Sequence, residues 1–296
     1  AQEHGYPEPP PLDWEKLKED LEKHCSMYEK ARMRKMEGPQ ENTAEEEFAV
    51  VPWPDPPALE AFYGLAGEIV KAIEPHTEAD PVALLVQFLV AFGNVIGRGP
   101  HFKVEADRHA LNLFAVLVGT TSKGRKGSSW GHIRRVFETV DPDWGNLRIQ
   151  TGLSSGEGLI WAVRDPIPKR EPIKEKGHLK GYEEVIIDEG VEDKRLLVYQ
   201  PEFSAPLKVM TRQGNTLSDT IRDAWDSGNL RTMVKNNPAK ATGAHISIIG
   251  HITKTELLHY LTTTEAGNGF ANRFLWICVR RSKVLPEGGR IHEVNF

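Results

Sequence analysis

The spacing of apolar residues divides the chain into a polar leader, a pair of helices and a region in which strands and helices alternate. Apolar residues are sparse over residues 1–50 and show only weak helical spacing there. Residues 58–73 and 82–96 repeat apolar side chains at helical intervals, which predicts two helices. The second is apolar nearly all round and is therefore expected to be buried. Asp80 and Pro81 are typical of its N-cap and its first helical position.

From residue 100 onward, short apolar runs alternate with helical stripes. The predicted strands are residues 112–118, 147–151, 185–187, 196–199, 246–249 and 274–279, and the predicted helices are residues 128–140, 158–163, 217–225 and 255–261. The polar stretches 165–182 and 229–240 are predicted to be surface loops. This alternation predicts an α/β fold with a mostly parallel sheet covered by helices on both faces. We therefore divide the chain into a charged leader (1–50), a small helical subdomain (51–110) and an α/β core (111–296).

The composition is that of an ordinary globular protein. The chain has 296 residues, of which 39% are hydrophobic and 27% charged, and it is long enough to bury a sizeable core. Its two cysteines are too few and too far apart for a disulfide framework or a zinc site, so a reducing cytoplasm is expected. The most apolar run, residues 82–96, is too short to span a bilayer, so no membrane association is expected. Because the chain begins at Ala1 and stops inside a strand-like run, we expect it to be a segment of a longer polypeptide, truncated at its C-terminus.

The negative charge is confined to the leader. Residues 1–50 contain 13 acidic and 7 basic residues, a charge of −6, whereas the whole chain carries −5. The remaining residues are therefore close to neutral, which neither demands nor excludes a nucleic-acid partner. The leader cannot bury enough apolar surface to form a packed domain, and we interpret it as a tether or a partner-docking helix.

A glycine-rich loop follows the most apolar predicted strand and precedes a helical stripe. In this context backbone N–H groups, the helix N-terminus and a lysine can together bind phosphates. A flexible glycine turn at a strand–helix junction is the alternative. The residues that we expect to bind a nucleotide are Gly119, Thr120, Thr121, Ser122, Lys123, Gly124, Arg125, Lys126, Gly127, Ser128 and Ser129.

The loop departs from the strict phosphate-binding pattern G-x-x-x-x-G-K-[ST]. Two glycines have the required spacing, but Arg125 occupies the lysine position and Lys126 the hydroxyl position. Alternatively the loop is longer, Lys126 binds the phosphates, and Ser128 or Ser129 supplies a hydroxyl for Mg²⁺. We prefer this second register because a compact ammonium suits the role better than a guanidinium.

Four sequence runs carry a family resemblance: NLFAVLVGTTSKGRKGSSW, GLSSGEGLIWAVRD, RLLVYQPEF and GNGFANRFLW, in this order. Together they resemble a family of RecA-like ATPase domains that accompany primase-polymerase modules in phages, plasmids and other mobile elements. The resemblance covers residues 51–285. It implies a RecA-like P-loop fold and a replicative helicase-type role. ATP and Mg²⁺ would then be the cofactors, single-stranded DNA and a primase-polymerase module the partners, and a homo-oligomeric ring the assembly.

A P-loop ATPase also needs an acidic residue at the end of a second strand, to hold the metal shell or a water. The run VIIDE places Asp188 after an apolar stretch, although a surface hairpin edge explains this stretch equally well. The resemblance points instead to LLVYQPEF, in which Gln200 ends the strand and Glu202 follows two residues later. Glutamine can hold a metal-bound water but adds no charge, which counts against efficient hydrolysis. The candidate metal ligands are thus Ser128, Asp188 and Gln200, with Glu202 as a candidate catalytic residue.

Three further residues are candidates for catalytic roles in a RecA-like motor. Glu157 follows the strand after the P-loop helix, where such motors place a water-activating glutamate, although Ser154-x-x-Glu157 is also the pattern of a helix capping box. His251 ends an apolar strand, where a polar residue can sense the terminal phosphate; a buried histidine bonded to a backbone carbonyl is the alternative. Arg273 is a candidate for the arginine that completes a neighbouring subunit's site, with an internal salt bridge as the alternative.

The polar loop over residues 231–244 carries the candidate DNA-binding residues Arg231, Lys235 and Lys240. RecA-like motors present such loops to a central channel, where they hold the phosphate backbone of single-stranded DNA; an exposed, solvated loop is the alternative. The predicted function is therefore an ATP-dependent motor on single-stranded DNA in mobile-element or phage replication. A nucleotide-binding interaction module without turnover and a P-loop phosphotransferase are the two rival functions.

Overall fold

The computed structural model describes residue 53 and residues 55–120, 124–175, 178–233 and 239–294. The predicted leader over residues 1–50 lies outside these ranges, as do four candidate binding residues: Thr121, Ser122, Lys123 and Lys235. The described residues from Asp55 onward belong to one compact unit.

The described part of the chain contains a central sheet, three hairpins and helices on both faces of the sheet. The strands are β1 (His101–Val104), β2 (Asp107–Ala110), β3 (Phe114–Val118), β4 (Ile149–Gln150), β5 (Ile167–Glu175), β6 (His178–Asp188), β7 (Arg195–Gln200), β8 (Leu230–Arg231), β9 (Lys240–Ala241), β10 (His245–Ile252) and β11 (Leu275–Cys278). The helices are α1 (Gly64–Ile73), α2 (Pro81–Val95), α3 (Lys126–Val140), α4 (Gly156–Trp161), α5 (Ser204–Met210), α6 (Leu217–Asp226), α7 (Lys254–Tyr260) and α8 (Thr263–Gly267).

The central sheet has five strands in the order β11-β3-β10-β7-β4, and every neighbouring pair is parallel. The pairs β1–β2, β5–β6 and β8–β9 form separate antiparallel hairpins. The arrangement confirms the predicted α/β class with a mostly parallel sheet. It is compatible with a Rossmann or RecA-like core.

Burial on both faces explains why the central strands are continuous apolar runs. All five residues of β3 and all eight of β10 are buried, as expected for strands covered by helices on each side. On one face α2 and α3 pack against the sheet through side chains that include Phe88 and Phe137. On the other face α4 and α6 contribute Leu159 and Ile221. None of the described helices combines the length and the apolar character that crossing a membrane requires.

Helix α2 begins as the sequence predicts, whereas α1 does not. Asp80 caps α2, since its Oδ1 accepts a hydrogen bond of 3.0 Å from the Val82 N–H, and Pro81 is the first helical residue. The predicted helix over residues 58–73 is instead divided into a 3₁₀ turn at Leu59–Ala61 and the helix α1. The backbone of Gly64 has φ +60°, a conformation that interrupts a right-handed helix at little cost only at glycine.

Both predicted surface loops contain strands, which corrects the sequence prediction. Residues 165–182 lie largely in the β5–β6 hairpin, and residues 229–240 contain β8 and the start of β9. The side chains of β6 are almost all exposed on both faces. The sequence of β6 therefore lacks the alternation of apolar and polar residues that marks a half-buried strand. Prolines within β5 also count against a strand in sequence reasoning. The hairpin β1–β2 and the helix α5 were missed as well.

The β5–β6 hairpin is fastened where it leaves and rejoins the core. The Lys194 Nζ donates hydrogen bonds to the Val163 and Arg164 carbonyls, at 2.9 and 2.7 Å, and to the Asp165 Oδ1 at 3.0 Å. Across the hairpin base, the Arg164 Nη2 lies 2.9 Å from the Asp188 Oδ2. The two ends of this insertion therefore lie side by side next to the core.

A buried asparagine joins α2 to the amino-terminal ends of the central strands. The Nδ2 of Asn94 lies 3.1 Å from the Leu196 carbonyl and 3.0 Å from the His245 carbonyl, and the Asn94 Oδ1 accepts 2.8 Å from the Trp144 indole. Asn94 is fully buried, so each of these polar groups would lose its partner without access to water if the side chain were removed. The network fixes α2 on the sheet at the edge opposite the carboxyl ends.

Candidate functional site

A cleft of about 1010 Å³ opens at the carboxyl ends of the central strands. After β3 the chain continues to β4, which forms one edge of the sheet. After β10 it passes beyond β3 to β11, which forms the other edge. The direction of strand addition thus changes beside β3 and β10, and ligands of open parallel sheets bind in the crevice at such a point. The residues that line the cleft are Thr120, Arg125, Lys126, Gly127, Ser128, Tyr199, Pro201, Glu202, His251, Ile252, Thr253, Lys254, Thr255 and Glu256.

The glycine that begins the loop is required by close packing. The Gly119 N–H donates to the Ile252 carbonyl at 3.1 Å, which ties the end of β3 to the end of β10. A Cβ at this position would lie 2.6 Å from the Val279 carbonyl oxygen, closer than such atoms can approach. At the other end of the loop, Arg125 has a left-handed backbone with φ +50° directly before α3. The loop is therefore held at both ends, and α3 begins at Lys126.

The Lys126 ammonium contacts the first two residues of the loop. The Lys126 Nζ donates hydrogen bonds of 2.7 Å to the Thr120 carbonyl and 3.3 Å to the Gly119 carbonyl. Partial burial lowers the pKa of Lys126, while the negative charges of Glu202 and Glu256 act in the opposite direction. The cleft thus contains a partly desolvated cation at the first residue of a helix, which is the arrangement expected of an anion site.

The two serines at the start of α3 have different environments. Ser129 is buried, and its hydroxyl donates to the Lys126 carbonyl at 2.7 Å while accepting from the Gln87 amide at 2.7 Å. Ser128 is exposed and lines the cleft. The sequence left the choice between these hydroxyls open, and the geometry favours Ser128 as the one that faces a ligand.

His251 connects the end of β10 to the start of α3. Its Nε2 lies 3.2 Å from the Gln87 Oε1, and the Gln87 Nε2 donates to Ser129. Because the amide oxygen accepts, the Nε2 must carry the proton. The partner of this buried histidine is therefore a side chain, and not the backbone carbonyl that the sequence-based alternative assumed. His245 is the histidine that contacts a carbonyl, that of Gly93 at 2.8 Å.

The buried state of His251 predicts a dependence of stability on pH. Burial, and then the nearby charge of Lys126, lower the pKa of His251 from 6.5 to about 3. Between these values the unfolded chain binds a proton that the folded chain does not, so the free energy of unfolding falls as the pH drops from 6.5 towards 3. Each pKa unit corresponds to about 1.4 kcal/mol, so the expected loss is several kcal/mol. Denaturant unfolding at pH 7 and pH 4 measures it.

The variant His251→Gln should lose less stability than the wild type between these two pH values, because glutamine does not titrate. His109→Gln is the matched control, since His109 is exposed on β2 and should leave the pH dependence unchanged. If wild type and His251→Gln lost the same free energy of unfolding, the buried neutral histidine would not be the cause.

Two carboxylates face the cleft, but only one is already engaged. Glu256 forms a capping box with Thr253, and its Oε1 accepts from the Ser204 hydroxyl at 3.0 Å. Burial acts to raise the pKa of Glu256, but the hydrogen bonds from Thr253 and Ser204 outweigh it and leave the pKa below its usual value. Glu202 is exposed to the cleft directly after β7. Glu202 is therefore the carboxylate whose position suits contact with a ligand.

Three acidic or amide candidates lie away from the cleft. The Gln200 Oε1 accepts from the backbone N–H groups of Gly152 and Leu153, at 3.2 and 3.4 Å, so this oxygen supports the loop after β4. Asp188 ends the β5–β6 hairpin, where the guanidinium of Arg164 lowers the pKa of its carboxyl. The structure therefore favours the alternative in which the run before Asp188 is part of a surface hairpin. Glu157 accepts from the Thr216 hydroxyl at 3.0 Å.

The predicted capping box at the start of α4 is displaced by one residue. The N-cap is Ser155, whose hydroxyl accepts from the Gly158 N–H at 3.0 Å, in place of Ser154. Glu157 lies in the first turn, where a negative charge stabilises the helix dipole. The structure therefore gives Glu157 a local structural role next to α6.

Arg273 and the described DNA-binding candidates also lie outside the cleft. The Arg273 Nη2 is 2.7 Å from the Asp226 Oδ2, which is the internal salt bridge that the sequence left open. Arg231 is exposed at the end of β8, and the Lys240 Nζ lies 3.9 Å from the Asp165 Oδ2. Arg231 and Lys240 lie on the two paired strands of the hairpin β8–β9.

Sequence reasoning missed three residues on the wall opposite the loop. Tyr199 stacks on Trp130 with ring centroids 5.2 Å apart and meets the His251 ring edge-on. Thr253 and Lys254 follow β10 directly and line the cleft. Because the carboxyl ends of parallel strands meet at one edge, polar residues just after β10 could have been included. The sequence analysis included only His251, which lies within β10 itself.

No family model matches the chain, and no curated protein matches it in sequence. Among the described residues, no cluster of three or more His, Cys, Asp or Glu side chains could hold a metal ion. A Mg²⁺ ion that enters with a nucleotide takes few protein ligands in addition to phosphates and waters. The hydroxyl of Ser128 and the carboxylate of Glu202 are hard oxygen donors of the kind that such an ion prefers.

Proposed function

We propose that the chain is a RecA-like P-loop ATPase that binds ATP with Mg²⁺ and hydrolyses it. The observation that carries this proposal is that Lys126 and Glu202 face one cleft at the carboxyl ends of the parallel sheet. A cleft of about 1010 Å³ is at the upper end of the range for small-molecule sites, roughly 300–1,000 Å³. The strand order supports a RecA-like core, because β10 separates the strand before the loop from the strand before Glu202.

The loop and α3 supply the phosphate-binding groups. Helix α3 has 15 residues, and its first three, Lys126, Gly127 and Ser128, line the cleft. The N–H groups of this first turn have no partner within the helix and would be available to phosphate oxygens. Lys126 would exchange its two backbone carbonyl partners for phosphate oxygens. Since a charge-assisted bond to phosphate is stronger than a bond to a neutral carbonyl, this exchange is favourable.

The wall opposite the loop supplies the residues for the chemical step. Glu202 would orient the attacking water and accept its proton. Lys254 lies on the same wall and has no carboxylate within 4.0 Å among the described residues, so it would add positive charge near the terminal phosphate. Ser128 would hold a Mg²⁺ ion that enters with the nucleotide, and that ion would supply positive charge beside the phosphates. His251 would act through Gln87 and Ser129 as a positioning residue.

The resemblance and the two cations on the hairpin β8–β9 support the motor function. In this proposal Arg231 and Lys240 on β8–β9, with Lys235 between them in the sequence, contact the backbone of single-stranded DNA. Subunits assemble into a cytoplasmic ring, and a primase-polymerase module acts on the same DNA during replication of a mobile element. For Arg273 to complete a neighbour's site, it would have to leave Asp226.

A nucleotide-binding module with little or no turnover is the second candidate function. The observation that favours it is Gln200, which ends β7 without a charge and uses its amide oxygen for backbone N–H groups. This candidate keeps Lys126 and the loop in the same role but assigns no hydrolytic step to Glu202. It predicts assembly that depends on ATP without release of phosphate.

Phosphate release from ATP, measured with Mg²⁺ in the presence and absence of single-stranded DNA, tests the proposal. Stimulation by DNA supports the motor. ATP-dependent oligomerisation in sedimentation without phosphate release would support the second candidate. Absence of ATP binding altogether would contradict both.

A further inference from the structure

A second cleft of about 360 Å³ adjoins the first one along α3. Three segments form it. Residues 76–78 come from the turn before α2, residues of the loop and α3 form the floor, and Leu285, Gly288 and Gly289 come from the segment after β11. The two clefts share Arg125 and Ser128. They therefore meet at the start of α3, beside the phosphate-binding groups of the first cleft.

Glu78 holds the three segments together. Its carboxylate binds Arg125 of the loop at 2.6 Å, Arg281 of the C-terminal segment, and the Leu285 N–H at 2.8 Å. The hydrogen bond from Arg281, and then that from Leu285, lower the pKa of Glu78 to about 2. Glu78 is thus ionised at neutral pH, and it is paired with two cations, Arg125 and Arg281, at one side of the second cleft.

The C-terminal segment passes very close to the turn before α2. A Cβ at Gly289 would lie 1.7 Å from the His76 carbonyl oxygen, so only glycine fits there. Gly288 has φ +74°, another conformation that favours glycine. Close backbone packing of this kind shapes one wall of the cleft without side chains. One wall of this second cleft, called the slot below, is therefore formed by backbone at Gly288 and Gly289.

Away from Glu78 and Arg125, the floor of the slot carries no full charge. At Gly131, which is exposed on α3, an added Cβ would meet no atom within 4 Å. Next to it, the His132 Nε2 lies 3.1 Å from the Thr77 Oγ1, and burial, then Arg135, lower the pKa of His132. Leu285 adds an apolar side chain from the opposite wall. Such a slot suits a flat, uncharged ring system.

We propose that this second cleft binds the nucleoside part of the nucleotide whose phosphates occupy the first cleft. The inference rests on the proposed ATP-binding function and assigns the direction in which ATP lies. From Ser128 to His132 the helix advances about 6 Å, so a ligand whose phosphates meet Ser128 reaches the slot with its ribose and base. Its terminal phosphate then points towards Glu202 and Lys254.

The variant Gly131→Leu tests the proposal by filling the slot. Leucine at an exposed helix position should not impair folding, because it has a higher helix propensity than glycine. Affinities for ATP and for inorganic tripolyphosphate are measured in the wild type and the variant. ATP binding should weaken at least roughly tenfold, while tripolyphosphate binding should stay the same. Gly131→Ala, with its smaller side chain, should give a smaller loss.

Thr139→Leu is the matched control, because Thr139 is exposed on the same helix outside both clefts. It should bind both ligands as the wild type does. If Gly131→Leu bound ATP with unchanged affinity, or lost both ligands equally, the nucleoside would not lie in this slot. If the wild type bound neither ATP nor tripolyphosphate, the proposed function itself would fail, which is a different outcome.

Discussion

Replacing Lys126 by alanine should lower the rate of ATP hydrolysis by roughly 100- to 1,000-fold, the usual effect of removing one preorganised donor from a developing charge. The Lys126 ammonium donates hydrogen bonds to the Thr120 and Gly119 carbonyls at the start of the loop. Without it, the phosphates would lose a partly desolvated cation, and ATP affinity should fall as well. Steady-state phosphate release at saturating ATP measures the first effect, and equilibrium binding measures the second.

Lys71→Ala is the matched control, since Lys71 is exposed on α1 and its removal should change neither quantity. Thermal unfolding of both variants separates loss of function from loss of fold, because Lys126 also holds the loop carbonyls. Lys126→Arg addresses the register of the loop: a guanidinium at this position should restore only part of the activity. Equal hydrolysis by wild type and Lys126→Ala would remove this residue from the mechanism.

Glu202→Gln should leave ATP binding nearly intact and reduce hydrolysis by about 100- to 10,000-fold, the range expected for loss of a general base. The amide keeps the size of the side chain but cannot accept a proton. Glu202 follows β7 directly, on the cleft wall opposite the loop. Single-turnover hydrolysis, with ATP binding measured in parallel, distinguishes this effect from weakened affinity.

Glu256→Gln is the informative control for Glu202→Gln. Both carboxylates line the cleft, but that of Glu256 is bonded to Thr253 and Ser204. Its replacement should weaken the cap of α7 and lower stability by about 1 kcal/mol, with a much smaller effect on hydrolysis. A larger loss of turnover in Glu256→Gln than in Glu202→Gln would reverse the assignment of the two acids.

Local sequence was sufficient to predict β3 and α3, because each has a signal of its own, and glycines mark the connection between them. A buried parallel strand is a continuous apolar run, glycines mark the loop, and the stripe of Trp130, Ile133 and Phe137 marks the buried face of the helix. Asp80 and Pro81 gave the start of α2 in the same way. For these elements, the residues that determine the structure are also close together in the chain.

The distribution of polar groups around the cleft could not be predicted in this way, because it depends on which face of a strand each residue occupies. Tyr199 and Gln200 are neighbours in sequence, yet Tyr199 lines the cleft and Gln200 supports the loop after β4. The apolar run before Asp188 resembled a central strand, but it pairs with β5 in an exposed hairpin. The second cleft joins residues 76–78 to residues 285–289, a separation that no local pattern reveals.

The contacts that hold the two ends of the β5–β6 hairpin together separate this hairpin from the central sheet. Since Lys194 and Arg164 close the chain at the point of departure, the register of β7 in the sheet does not depend on what lies between them. Over evolution this hairpin could be lengthened, shortened or replaced while the strand order of the central sheet stayed the same. Relatives of this protein should accordingly differ most in this appendage, and it offers the natural insertion point for a reporter domain.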